Sequence, residues 1–241
     1  RDPDDLYPQA EIPIFQSIAD QTSIALSNIL HADQLRKMHQ VNVERNEQER
    51  MHLALELHDS ILNQLAVLRT NLDEGNLPPK FKSAYDELTR RLREIVSDLR
   101  PPMLMYGLKP AIIELADNLM ERSGDRVKIR VSLEGSGDRI PEQMELHLFR
   151  IVQEACENSL RHANPGNINI RGTLSPQEVD LTIEDNGTGF DVNTSLELGS
   201  LLSHGHFGIA GMIERAHLIG AKITFHSASG EGTRIRIILK P

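Results

Sequence analysis

A single cysteine, Cys156, in 241 residues leaves no internal disulfide framework and fits a reducing compartment. Long apolar runs are missing as well. None approaches the roughly 18 residues that a bilayer span requires, so nothing in the chain reads as membrane-embedded. The opening residues, Arg1 to Asp5, are too polar for a secretory signal, and the lack of an initial Met predicts a piece cut from something longer. Basic charge is also in short supply. With 26 Lys and Arg against 35 Asp and Glu, the net charge of -9 argues against direct nucleic-acid binding, which draws on neutralised phosphates. Together these absences predict a cytoplasmic protein with no membrane segment and no nucleic-acid partner.

Ten histidines are present, but the short-spaced pairs, His31 with His39, His52 with His58 and His204 with His206, have no Cys or His cluster beside them. That pattern argues against zinc. A content of 39% hydrophobic and 25% charged residues is ordinary for a globular chain, and the length predicts one large or two modest domains.

Glycine and proline are missing from the front. Between Ile12 and Leu72 there is no glycine and, after Pro13, no proline, which predicts one very long helix or two nearly continuous ones. Its middle, Glu44 to Arg50, is almost wholly polar and reads as an exposed connector within a coiled coil. Beyond it Ala54, Leu57, Ile61, Leu65, Leu68 and Leu72 share a face, widened by Leu55 and Leu62. Asp73 to Pro79 breaks the helix. Phe81, Tyr85, Leu88, Leu92, Ile95 and Leu99 then mark the seam of a second helix, which Pro101-Pro102 stops. Such a hairpin has too little core of its own, and pairing with a second copy into a four-helix bundle supplies it.

After Pro102 the pattern changes. Gly107 to Arg122 reads as a connecting helix, and Val127, Ile129, Val131 and Leu133 alternate as in a strand. Further strands are expected at Ile168 to Ile170, Val179 to Ile183, Ile223 to Phe225 and Ile235 to Leu239. Helices are expected at about Pro141 to His162 and Gly208 to Ile219. The expected fold is therefore multidomain, a helical hairpin followed by an α/β sandwich.

Four patterns carry chemistry. On the helix ending near His162, Glu154, Asn158 and His162 share one face with Arg161 beside them, while Leu148, Phe149, Val152, Cys156, Leu160 and Ala163 form the apolar face. A solvated surface gives the same arrangement. Asn and His are nevertheless mediocre helix formers, and an amide oxygen beside a carboxylate suits Mg²⁺. Cys156 reads as a core thiol. The second pattern, Glu184-Asp185-Asn186-Gly187-Thr188-Gly189-Phe190, follows a strand. There the glycines let backbone approach a ligand and the acid can accept from an amino group. The third is Gly205-His206-Phe207-Gly208-Ile209-Ala210-Gly211, which opens a helix after a long polar loop and offers backbone N–H groups to phosphate. Gly230-Glu231-Gly232-Thr233 is the fourth, and alone it reads as a hairpin turn.

Together these elements resemble the ATP-binding domain of the histidine kinase, gyrase, Hsp90 and MutL superfamily, with its N, G1 and G2 boxes at Glu154 to His162, Asp185 to Phe190 and Gly205 to Gly211. The resemblance covers roughly the last half of the chain and implies a Bergerat-type sandwich. It implies Mg²⁺ on Asn158, with Glu154 a second candidate, and the adenine amino group on Asp185. It further implies a pocket shaped by Gly187 and Gly189 with Thr233 beneath the base, and an ATP lid ending near Gly208. Arg161, His162, Gly205 and Gly211 complete the implied ATP site.

Gln48 to Asp59 resembles the phosphoacceptor box of sensor histidine kinases. The His-Asp pair, with Leu99-Arg100-Pro101-Pro102 and Gly107-Leu108, is similar to the nitrate-sensor and DesK-like subfamily. That resemblance implies phosphorylation of His58, with Asp59 drawing its ring proton, and onward transfer to an aspartate of a response regulator with a helix-turn-helix output. Helical projection also places His58 between Leu55 and Leu62, where a packed core histidine fits. The subfamily has Gln five residues after the histidine where this chain has Asn63, which puts phosphatase activity in doubt. Ile12 to Leu35 resembles the last helix of a GAF sensory domain.

The expected organisation is a sensor-derived helix over residues 1–40, a dimerisation and phosphotransfer hairpin over 41–104 and an ATP-binding domain over 105–241, in a homodimer. The alternatives are a non-phosphorylating clamp ATPase of the gyrase or Hsp90 kind and an ATP-sensing scaffold.

Overall fold

The glycine-free front of the chain forms one helix, α1, over Ile12–Glu56, 45 residues and about 68 Å long at 1.5 Å per residue. The computed structural model describes residues 12–71, 78–135, 139–190 and 207–240. It divides into two units, Arg1–Asn42 and Val43–Pro241. In the first, the described side chains of α1 up to residue 38 are exposed, Ile14, Ile18, Ile24, Ile29 and Leu30 among them. Among the described residues no helix is long and apolar enough to cross a membrane.

In the second unit α1 runs into a π-helical turn, Leu57–Leu62, and then into α2, Asn63–Asn71. The expected break at Asp73 to Pro79 lies mostly outside the described residues. Helix α3, Pro79–Leu99, starts with a proline in its first turn, where a missing N–H costs nothing. It ends where Arg100, held extended (φ -139°, ψ 107°), precedes Pro101. The Tyr85 hydroxyl donates to the Leu65 carbonyl at 2.6 Å and ties α3 to α2. Leu55, Ile61, Leu68, Phe81, Leu88 and Ile95 remain 42–54% exposed, so the hairpin of one chain leaves its own seam open.

The polar stretch Glu44 to Arg50 is exposed at Glu44, Arg45, Asn46, Gln48 and Glu49, as expected of a connector, but Glu47 within it is buried, as are Val43 before it and Ala54 after it. Arg150 and Arg215, far along the chain, pair with the Glu47 carboxylate at 3.2 and 2.7 Å and make that burial tolerable.

A 3₁₀ turn, Pro102–Tyr106, leads into α4, Leu108–Arg122. The sequence suggested a connector here also. Instead Leu108, Ala111, Ile112, Leu115, Ala116 and Leu119 are all buried, which makes α4 part of the core. Its first turn is fastened by the buried Glu145, whose carboxylate accepts from the Leu108 N–H at 3.3 Å and from Arg139 Nε at 3.1 Å.

The remaining elements are β1 (Lys128–Gly135), α5 (Glu142–Asn158, extended by a π-helical turn Ser159–Ala163), β2 (Asn167–Leu174), β3 (Val179–Asp185), α6 (Phe207–Leu218), β4 (Lys222–Ala228) and β5 (Gly232–Leu239). The sheet order is β1-β2-β3-β5-β4, with β1 and β2 parallel and the other pairs antiparallel. Helices α4, α5 and α6 pack with the sheet around one apolar cluster that includes Ile112, Leu148, Ile151, Ile170, Leu181 and Ile237. On the solvent face Asp180 pairs with Arg236, and Glu184 with Arg171 and Arg234. The helical front and the α/β sandwich thus match the expected fold.

Cys156 lies fully inside this core. Burial, with the neighbouring charges of Glu157 and Asp185, pushes its thiol from 9.0 up to about 12. The unfolded thiol ionises near its ordinary value. Stability is therefore unaffected by this group below about pH 9 and falls by about 1.4 kcal/mol per pH unit as pH rises toward 12. Iodoacetamide at about pH 8 is expected to spare Cys156 in the native protein and to modify it after urea unfolding, a difference read by mass spectrometry.

Candidate functional site

Alternation along β3 sends Val179, Leu181 and Ile183 into the core, and the same phase carries Asp185, 5% exposed. A carboxylate thus occupies a position where the pattern calls for an apolar residue. Its Oδ2 accepts from Ser159 Oγ at 2.8 Å and its Oδ1 from the Gly187 N–H at 2.8 Å. Among the described residues no cation pairs with it. Two neutral donors fix its orientation, and a carboxylate has about four lone-pair positions, so acceptor capacity remains for a ligand amino group.

Ser159 was not anticipated as a site residue. The available signal was a hydroxyl on the apolar side of α5, one helical step from Ala155 and Ala163; Ser159 Oγ also reaches the Ala155 carbonyl at 3.0 Å.

The loop after β3 is fastened on both sides. Asn186 Oδ1 accepts from the N–H groups of Gly166 and Asn167, and Thr188 N–H donates to the Ala163 carbonyl at 2.9 Å. The glycines serve this nesting first. A Cβ on Gly187 would lie 2.3 Å from the Ala163 oxygen, and one on Gly189, at φ +62°, would lie 2.1 Å from the Ala228 oxygen. Gly187→Ala is expected to cost about 2 kcal/mol of stability and to weaken nucleotide binding by displacing the loop, measured by urea unfolding and by titration. On β5, Thr233 sits opposite Asp185, its hydroxyl 3.2 Å from Ser227 Oγ.

On α5, Asn158 Nδ2 donates to Glu154 Oε1 at 3.0 Å. The first turn of α6 packs directly on this pair, since a Cβ on Gly208 would lie 2.3 Å from Glu154 Oε1. Gly211, one turn on, faces open space, and Gly205 lies outside the described residues. With its amino group committed to Glu154, Asn158 has an amide oxygen with no hydrogen-bond partner among the described residues, a hard donor of the kind Mg²⁺ takes. Arg161 turns elsewhere. It stands 3.7 Å from Glu157 and lines a cavity of about 450 Å³ with Arg122 and Arg126. His162 is exposed.

The second centre is the π-helical turn. His58 Nδ1 and Asp59 Oδ1 are 3.1 Å apart, with side chains 61% and 73% exposed. His58 is therefore not packed within this chain, although the apolar arc allowed that. Asn63 Nδ2 donates back to the Asp59 carbonyl at 3.1 Å.

Residues 143–241, which carry the buried strand-end carboxylate, the glycine-nested loop and the Asn-Glu pair, match the family described as histidine kinase-, DNA gyrase B-, and HSP90-like ATPase. The chain is 30% identical over 253 residues to the sensor protein VraS of Staphylococcus aureus, covering 94% of this chain and 69% of VraS. It is also 30% identical over 203 residues to the nitrate/nitrite sensor protein NarQ of Escherichia coli, covering 79% of this chain. It belongs to the sensor histidine kinase family. The chain spans only 34% of the length of NarQ and 40% of that of a sensor-like histidine kinase from Chloroflexus aurantiacus, to which it is 27% identical over 244 residues.

Proposed function

We propose that this chain transfers the γ-phosphoryl group of ATP to His58 and then to an aspartate of a response regulator with a helix-turn-helix output. The observation that carries the proposal is the exposed His58 ring with Nδ1 held by Asp59. Asp59 draws the Nδ1 proton, which leaves the Nε2 lone pair to attack the γ-phosphorus. The N–P bond forms as the bond to the β,γ-bridging oxygen breaks, and ADP departs with that electron pair. Asp185 takes the adenine amino group and Thr233 lies beneath the base. Gly187 and Gly189 shape the pocket, while the N–H groups at the start of α6 face the phosphates. Asn158, supported by Glu154, would hold Mg²⁺ through its amide oxygen, and the ion would supply positive charge against the phosphates. The organisation proposed is the one expected, 1–40, 41–104 and 105–241, in a homodimer that covers the open seam of α2 and α3. Asn63 is turned back on its own helix, and no phosphatase role is assigned to it.

The test is incubation with γ-labelled ATP and Mg²⁺. Acid-labile, alkali-stable label on the peptide containing His58 is the expected result. Tight ATP binding without label overturns the proposal in favour of a scaffold or clamp.

A further inference from the structure

A cavity of about 450 Å³ opens where the end of α4 and the π-helical turn after α5 meet the residues that lead into β1. Of the residues expected to bind ATP only Arg161 lines it, so it is a second concavity of the same domain. Its apolar floor is made by Leu119 and Val127, 2% and 8% exposed, with the half-buried Leu160. Around that floor stand Arg122, Arg126 and Arg161, with Glu157 the one acid among the lining residues. Three cations against one carboxylate leave a surplus of two positive charges, in a chain whose net charge is -9.

Arginines at helix ends ordinarily serve the helix's own free carbonyls, and here that service is already supplied by backbone. The Leu119 carbonyl takes the Ser123 N–H at 3.0 Å, the Met120 carbonyl the Asp125 N–H at 3.0 Å and the Glu121 carbonyl the Gly124 N–H at 2.9 Å. Arg126 commits its Nε alone, to the Ser123 carbonyl at 2.9 Å. Its terminal nitrogens, and all of Arg122, have no hydrogen-bond or ion-pair partner among the described residues. Arg161 stands 3.7 Å from Glu157, beyond hydrogen-bond reach. Three planar forks of donors are therefore uncommitted at one apolar hollow, and such forks suit the oxygens of carboxylate and phosphate.

We propose that this cavity binds a small organic dianion, a phosphomonoester carried on an apolar body. The surplus of two positive charges matches a phosphomonoester above its second pKa of about 6. Leu119, Val127 and Leu160 give the body of the molecule a surface to cover, and the volume falls among ligand pockets of roughly 300–1,000 Å³. Asn164 and Pro165, also in the lining, lie between two fastenings of the loop after β3. The Ala163 carbonyl takes the Thr188 N–H on one side, and the Gly166 and Asn167 N–H groups go to Asn186 Oδ1 on the other. An occupant thus rests against the segment to which that loop is tied.

The test is calorimetric titration of the whole chain at about pH 8, with ADP and Mg²⁺ in excess to compete for the proposed nucleotide site. Phenyl phosphate carries two charges and a ring, inorganic phosphate two charges without a ring, and benzoate a ring with one charge. Phenyl phosphate is expected to bind as one equivalent with a Kd below about 1 mM, and each of the other probes at least about tenfold more weakly. Arg122→Gln combined with Arg126→Gln is expected to weaken phenyl phosphate binding at least about tenfold. Both positions are exposed and lie outside the proposed nucleotide site, so ADP affinity and circular dichroism are expected to stay unchanged. Absence of phenyl phosphate binding, or binding that survives both substitutions, overturns the site. Inorganic phosphate or benzoate held as tightly as phenyl phosphate overturns the class of molecule assigned to it. ADP affinity that falls in step with phenyl phosphate affinity places the arginines' effect at the nucleotide site and overturns the proposal as well.

Discussion

Glutamine in place of His58 is expected to abolish labelling by γ-labelled ATP, a loss of at least about a thousandfold, while ATP binds as tightly as before. Glutamine keeps a polar side chain in an exposed turn but has no ring nitrogen with a lone pair to attack phosphorus. The proposed nucleotide site is built from other elements, the ends of β3 and α5 and the start of α6, and among the described residues His58 makes no hydrogen bond to any of them. Its side-chain partner among the described residues is its own neighbour, Asp59. Rate and affinity must therefore separate, as read by scintillation counting beside calorimetric titration. Residual labelling of the variant would move the phosphoacceptor to another residue.

Asp185→Asn is expected to weaken ATP binding by about a hundredfold, close to 3 kcal/mol, and to lose labelling in step. The wild-type carboxylate is acceptor-only and is held by Ser159 Oγ and the Gly187 N–H, one donor on each oxygen. An amide there sets donor against donor when its NH₂ faces the Gly187 N–H or the ligand's amino group. When the NH₂ faces Ser159, that hydroxyl becomes the acceptor and donates to the Ala155 carbonyl, but the carboxylate's negative charge toward the ligand's amino group is lost. Circular dichroism is expected to stay unchanged because the strand and its neighbours are unaltered. Titration with a fluorescent nucleotide distinguishes the two variants: His58→Gln binds and does not react, whereas Asp185→Asn does neither at ordinary ATP concentrations.

Much of the ATP-binding domain was legible because its signals are local. Period-two alternation marked β1, β3 and β5, and two-faced helical spacing marked α5, whose predicted apolar residues Leu148, Phe149, Val152 and Cys156 are all buried. The row Glu154 and Asn158 was legible for the same reason, since residues four apart must meet on a helix. What escaped was non-local. Glu47 and Arg150 are separated by 103 residues, and nothing in a polar stretch of helix says which glutamate a distant arginine will claim. Ser159 was hidden by its small size on an apolar face. The core role of α4 was hidden by its place after two prolines, which reads as a junction. Arg161 shares the last turn with His162, and its side chain stands 3.7 Å from Glu157, a pairing that a helix face alone does not specify.

The π-helical turn at Leu57–Leu62 has a mechanical consequence for the histidine it carries. A π turn accommodates about one residue more than an α turn, which displaces the side-chain rows on either side by roughly 100° relative to an unbroken helix. His58 therefore points in a different direction from the one that an unbroken α-helix would give it, while beyond the turn the Tyr85 hydroxyl fastens α3 to α2.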